Sequence, residues 1–218
     1  MVRPDAYFAF TALATQLATS FTKAAWDGVL QWASYLLATK ELRPTYRRQH
    51  DGVRWVAFLG FSVLNAGAGQ SLGGHCSCYE GSGFLNWRCF VPRRQSGSSA
   101  AAELIVATSA AKWIPGQQLL SVELRQGQEG PSPLPLDAQA ALQGTTAEKI
   151  PRDMKYMAAR YATLRRTAAS GEAGEVVLRK VHTNENLAGL FTKQLVGEKF
   201  RGLRDRAAGL VAWVLPAP

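Results

Sequence analysis

At 218 residues, 47% of them hydrophobic, the chain is long enough for one substantial core and an appendage, which excludes a disordered tail. Its 25 Lys and Arg against 16 Asp and Glu leave a formal net charge of +9. That balance points to an acidic partner, and nucleic acid is the commonest one for a basic globular domain.

The first forty residues carry two helical patterns, Asp5 to about Ser20 and Thr22 to about Thr39, with Ser20 or Thr22 as candidate N-cap. The apolar stretch from Ala6 to Phe21 is interrupted by Thr11, Thr15, Gln16, Thr19 and Ser20 and has no basic lead-in, so it reads as a buried amphipathic helix and not as a membrane span or signal peptide. A polar, basic link follows. The period then changes: Val53, Trp55, Ala57, Leu59 and Phe61 alternate as a half-buried strand does, and a domain boundary is expected near Gln49.

Gly-rich punctuation separates three expected strands, 53–63, 72–79 and 84–91, which read as an antiparallel meander. Its cysteines, Cys76, Cys78 and Cys89, are odd in number, so a disulfide framework is not expected and a reducing, intracellular location, cytoplasmic or nuclear, is. Together with His75 they match no usual zinc spacing, and alternation places Cys76 and Cys78 on one strand face. Residues 100–120 read as one long helix that Pro115 breaks or kinks. The segment Leu134-Pro135-Leu136-Asp137 reads as a short strand leading into a helix from Ala138, with Pro135 arguing for an edge or a strand end. Residues 151–167 form a basic helix, 175–181 a strand whose following helix Thr183 or Asn184 caps, and 197–208 a last basic amphipathic helix. Three consecutive strands followed by alternating elements indicate a three-layer α/β domain behind a helical lead-in.

The run Leu187-Ala188-Gly189-Leu190-Phe191-Thr192-Lys193, with the flanking residues from Val181 to Leu210, resembles the end of the polymerase polyprotein of copia-type retrotransposons. Other stretches match in the same order. Arg3-Pro4-Asp5 resembles the exit from the reverse-transcriptase body, Phe61-Ser62 the first strand of the ribonuclease H domain, and Asn86-Trp87-Arg88 with Gln95 its third strand and the turn behind it. Ser98 to Leu104 resembles its first long helix, and Leu136-Asp137-Ala138 its next strand-to-helix junction.

The resemblance implies a ribonuclease H-like three-layer fold with a mixed central sheet, preceded by a helical hairpin. It divides the chain into a reverse-transcriptase remnant (1–48), the ribonuclease H-like domain (49–195) and a C-terminal basic helix and tail (196–218). The implied reaction is hydrolysis of the RNA strand of an RNA–DNA hybrid within a larger polyprotein. Such chemistry uses two Mg2+ ions about 3.5–4 Å apart, held by carboxylates against one phosphodiester.

Carried over by position, the four carboxylates fall on Val63 (Ser62 if the register slips by one), Glu103, Asp137 and Gly189. Glu103 and Asp137 remain as catalytic and metal-holding candidates, whereas Val63 and Gly189 bear no carboxylate, so weak or absent Mg2+ binding and an impaired enzyme are expected. The alternative reading makes Glu103 a helix-surface residue, Asp137 an N-cap, and the chain a non-catalytic nucleic-acid-binding module or a decayed fragment. For binding, Arg152, Lys155, Arg160, Arg165 and Arg166 recur along one segment, with Tyr156 and Tyr161 interleaved as stacking surfaces. A second basic cluster comprises Lys193, Lys199, Arg201, Arg204 and Arg206. His182, at a strand end, reads as a packing or capping residue.

Overall fold

The computed structural model describes residues 3–46, 54–66, 70–92, 98–126, 130–137, 139–147, 149–150, 152–168 and 176–215, with the backbone alone at 63–66, 70, 140 and 141. The expected boundary near Gln49 lies outside them. The elements run α1 (Tyr7–Thr19), α2 (Lys23–Ala38), β1 (Trp55–Ala66), β2 (Gln70–Tyr79), β3 (Asn86–Phe90), α3 (Ser99–Ala111), α4 (Ile114–Glu123), β4 (Ser132–Leu136), α5 (Gln139–Thr146), α6 (Ala158–Ala168), β5 (Val176–Lys180), α7 (Gly189–Thr192) and α8 (Gly197–Ala207). No described helix is long and apolar enough to cross a membrane.

β1, β2 and β3 form the expected antiparallel meander, with Trp55 opposite Tyr79 and Ser62 opposite Leu72. Side chains alternate across a strand, and in β1 that alternation feeds two cores. Val56 and Phe58 pack with Leu72, Cys76 and Cys78 on the α7 side, and Ala57 and Leu59 pack with Leu104, Val106 and Ala107 on the α3 side. A strand apolar on both faces must lie inside a three-layer stack. The cysteines sit in the first of these cores as free thiols, and burial pushes Cys89 up to about 11.

β4 and β5 pair in parallel, and β4 lies beside β1, so the spatial order is β3-β2-β1-β4-β5. The backbone of β4 explains why no hydrogen-bonded ladder joins β4 to β1 among the described residues. The Leu136 carbonyl accepts from Val181 N, so even-numbered residues bond toward β5 and Pro133 and Pro135 face β1. Proline has no N–H to donate. β4 thus lies beside β1 with an undonating side, and Pro135 stands one residue from its end, in keeping with the expected edge or strand end.

Pro115 ends the expected long helix outright: α3 stops at Ala111, and α4 restarts with the proline in its first turn, where a missing N–H costs least. Thr22 caps α2 by accepting from Ala25 N at 3.1 Å. Residues 152–157 form a 3-10 turn, so only 158–168 of the expected basic helix is α-helical.

On the α3 side, His75 of β2 is buried against Ser109, with Oγ 3.4 Å from Nε2, and beside the Phe90 ring. Burial, with the nearby Arg88 charge adding to it, lowers its pKa to about 4. The unfolded chain takes up this proton near pH 6.5 and the folded chain only near 4, so stability falls as pH drops through that window. The expected loss, complete near pH 4, is about 3 kcal/mol at 1.36 kcal/mol per unit. Thermal melts from pH 7 to 4.5 check it: the decline should flatten in His75→Gln.

The α7 layer sits unusually close to the sheet because Gly60 and Gly74 lack side chains. A Cβ on Gly74 would stand 2.5 Å from the Phe191 Cβ, and one on Gly60 3.2 Å from Thr192 Oγ1. Gly74→Ala should cost about 1–3 kcal/mol by overpacking, lowering the melting temperature by about 2–4 °C per kcal/mol in a domain of this size. An unchanged melting curve would contradict this seating.

Candidate functional site

The residues singled out by the resemblance come from three layers of the fold. Glu103 comes from α3 on one face and is only 4% exposed, which removes the helix-surface reading. Gly189 and Lys193 come from α7 and its end on the other face, and Asp137 follows β4 in the sheet between them. Val63 lies on β1, and its side chain is outside the described set.

α7 is placed by Asn186, which sequence reasoning missed. Its buried amide donates to the Leu59 carbonyl of β1 at 2.7 Å, and its Oδ1 accepts from Ala188 N at 3.1 Å. Thr183 and Asn184, expected to cap this helix, do not: the residue before it is Ala188, and Asn184 N instead donates to His182 Nδ1 at 3.3 Å. His182 thus closes the turn after β5, as a capping residue does. The signal available in the sequence for Asn186 was an Asx residue two positions before Ala188, a local bonding pattern typical of turns.

At Gly189 a Cβ would meet Leu203 Cδ1 at 3.6 Å, so this buried position faces an apolar side chain of α8. Asp137 is met by ammonium groups. Lys193 Nζ stands 4.0 Å from its Oδ2, and Lys180 Nζ donates to its backbone carbonyl. Ser62, opposite Leu72 on the α7 face of β1, is 7% exposed, and its buried Oγ has no hydrogen-bond partner among the described residues. Two Mg2+ ions need several oxygen ligands in near-octahedral arrangement. Among the described residues no three His, Cys, Asp or Glu side chains gather in a metal-holding group, and Gly189 offers no side-chain ligand, so these side chains do not fit a cation pair.

The basic segment divides by environment. Arg152 and Lys155 are exposed on the 3-10 turn, Arg166 is exposed on α6, and Arg160 is half-buried there. Arg165 is committed elsewhere: its guanidinium donates to the carbonyls of Gly144, Thr145 and Ala147 at 2.7–3.0 Å, closing the end of α5. Tyr156 is 64% exposed and open to stacking, whereas Tyr161 is 1% exposed and packs in the α3-side core, which corrects the expectation of two stacking rings. In the second cluster, Lys199 bonds Asn184 at 2.8 Å and Arg204 pairs with Asp205 at 2.8 Å. Arg165→Ala should lower stability by about 1.5–3 kcal/mol through removal of three charge-assisted bonds and leave nucleic-acid affinity unchanged; a thermal melt beside a binding titration separates the two effects.

A meander of three antiparallel strands, two further strands in parallel, the order β3-β2-β1-β4-β5 and helices on both faces define a ribonuclease H-like fold. No protein-family model matches the chain, and no curated protein matches it. Among solved structures it is similar to LC11-RNase H1, isolated from compost by a metagenomic approach, at 10% identity over 64% of this chain and 92% of that one, with a TM-score of 0.46. It is also similar to the protease-reverse transcriptase of prototype foamy virus, at 10% identity over 90% of this chain, with a TM-score of 0.41; it spans 28% of that protein's length.

Proposed function

We propose that the chain is the ribonuclease H-like part of a copia-type retrotransposon polyprotein, with residues 1–48 a remnant of the reverse transcriptase, and that it binds nucleic acid without two-metal hydrolysis. The ancestral reaction is cleavage of the RNA strand of an RNA–DNA hybrid. The observation that carries the reading is Gly189: the residue where the resembling motif holds a metal-binding aspartate has no side chain and faces Leu203.

Binding rests on the net charge of +9 and on the exposed side chains of Arg152, Lys155, Tyr156 and Arg166. Lysine and arginine bonds to phosphates fix position and carry no sequence information, so affinity should be salt-sensitive and poorly specific. Glu103 and Asp137 are too few to hold the ion that generates the attacking hydroxide and the ion that neutralises the leaving oxygen.

The test is a fluorescence-anisotropy titration of a labelled RNA–DNA hybrid, paired with gel analysis of the same mixtures in Mg2+. Saturable binding at low salt without product is expected. Replacing Arg152, Lys155 and Arg166 together with Ala should reduce the slope of log affinity against log salt by about 0.9 for each phosphate that is no longer neutralised. Absence of binding at low salt would leave a decayed fragment as the better reading, and Mg2+-dependent product would make the chain an active nuclease.

A further inference from the structure

We propose that the cavity between the helical hairpin and the α7–α8 layer is a nucleotide site, which takes a nucleobase among aromatic side chains and sets the attached phosphate on Lys193.

The cavity measures about 500 Å3 and opens past Gln31 of α2 and Gln194, both exposed. Voids inside a domain seldom exceed a water molecule, whereas sites for small ligands run from about 300 to 1,000 Å3. Small residues keep it open. Ala9 and Ala12 of α1 and Gly28 of α2 line it, at positions where an inward helix face ordinarily carries larger apolar side chains.

The lining is aromatic and already fixed. Phe8, Trp32, Tyr35 and Phe200 all reach the cavity and are half-buried, so each ring keeps part of its surface uncovered. Trp32 Nε1 donates to the Ala6 carbonyl at 3.1 Å, the Tyr35 hydroxyl donates to Asp5, and Phe200 packs edge-on against Tyr35 with centroids 5.8 Å apart. A planar base entering here meets rings that lose little freedom on binding, and stacking of this kind accepts any base because each has a π face.

Charge then selects an anion. The carboxylate on the lining, Asp5, is taken by Arg3 Nε at 2.9 Å, by Arg3 Nη2 at 2.7 Å and by Tyr35. The lining cation is Lys193, half-buried and 4.0 Å from Asp137 Oδ2, which is beyond hydrogen-bond length and leaves its three hydrogens for a closer acceptor such as a phosphate oxygen. Gln31 and Gln194 add amides to the rim, and an amide carries both the donor and the acceptor that a base edge pairs with. An uncharged apolar occupant would use the rings and gain nothing from Lys193.

This cavity is separate from the basic segment invoked for hybrid binding. Phe8, Leu195 and Phe200 pack against the α7-side core, whereas Tyr161 of α6 packs in the α3-side core, so the two lie on opposite faces of the sheet. Each reading can therefore fail without the other.

The test titrates the full chain with N-methylanthraniloyl-AMP, followed by its fluorescence, and then competes it with unlabelled AMP and with single-stranded hexadeoxyadenylate. Saturable binding that AMP displaces is expected. Displacement by AMP alone identifies a free nucleotide as the occupant, and displacement by the hexamer as well identifies a nucleotide of a single strand. Lys193→Ala should weaken binding about tenfold or more, the loss of one charge-assisted bond, and Lys193→Arg should restore most of it. Ala12→Phe fills the cavity and should abolish binding while the melting temperature holds or rises, an outcome that unfolding would not give. The Arg152, Lys155 and Arg166 triple variant should bind the probe as the parent does. Absence of saturable binding, equal binding by Lys193→Ala, or probe displacement by uncharged phenylnaphthylamine but not by AMP would overturn the inference, the last by making the cavity a plain apolar groove. None of these results bears on the hybrid titration, whose own failure would leave this site standing.

Discussion

Placing carboxylates at the two positions the resemblance implies, with Val63→Asp and Gly189→Asp, should give a protein that cleaves the RNA strand of an RNA–DNA hybrid in Mg2+ while the parent does not. Glu103 and Asp137 already bring acids from α3 and from the end of β4, and the two substitutions add one from β1 and one from α7. Metal stabilisation of developing charge is worth several kcal/mol, about a thousandfold in rate, so the gain should stand well clear of background. Stability gives a readout independent of turnover. An aspartate at 189 would be buried facing Leu203, and an uncompensated buried charge is costly, so the double variant should melt lower than the parent in EDTA. Mg2+ at a hundred times its dissociation constant should return about 2.7 kcal/mol. Adding Glu103→Gln should erase both effects. A folded double variant with neither a Mg2+-dependent melting shift nor product would remove the case for an ancestral cation pocket.

The largest effect on stability should come from Asp5→Ala. Asp5 is buried and accepts from Arg3 Nε at 2.9 Å, from Arg3 Nη2 at 2.7 Å and from the Tyr35 hydroxyl. Arg3 also holds the end of α2, through the Thr39 carbonyl at 2.9 Å and its hydroxyl at 2.7 Å, while the Phe200 ring of α8 packs edge-on against Tyr35. One carboxylate thus joins the N-terminal turn, the helical hairpin and the last helix. Removing it strands a mostly buried guanidinium, a loss of about 3–5 kcal/mol. Arg3→Ala should cost a similar amount, and the double variant less than the sum, because the pair shares one interaction. Burial alone would raise the Asp5 pKa, but the hydrogen bonds from Arg3 and Tyr35, aided by the Arg3 charge, hold it below the usual carboxylate value. The native state therefore takes up this proton less readily than the unfolded chain. Its contribution is present above about pH 4 and fades as pH falls below that. Chemical denaturation of the parent and of Asp5→Ala at pH 7 and pH 3 should show the gap between them closing.

Periodicity made much of this fold legible. The alternation of the first strand, the antiparallel meander of three strands and the shared face of Cys76 and Cys78 all hold in the structure. Proline is less legible, because its effect depends on which side of a strand it occupies. Pro135 suggested an edge or a strand end; it stands one residue from the end of β4 with its undonating side toward β1, a placement that sequence alone does not choose. Tyr161 was missed for a related reason: interleaved aromatics look alike in sequence whether they point outward or into a core, and tertiary packing decides. Arg165 spends its donors on the end of α5, a partner some twenty residues away that local pattern does not encode. The ammonium groups around Asp137 come from β5 and the end of α7 and meet only through the sheet, which no local pattern encodes. Asn186 likewise acts on Leu59, across the whole domain in sequence.

Hydrolysis by the unaltered chain tests the central claim most directly. Purified protein is incubated with an RNA–DNA hybrid at low salt, with and without Mg2+, and products are resolved on a denaturing gel beside Asp137→Asn. Equal hybrid binding in both conditions and intact RNA throughout are the expected results. RNA fragments that need Mg2+ and vanish with Asp137→Asn would contradict the claim.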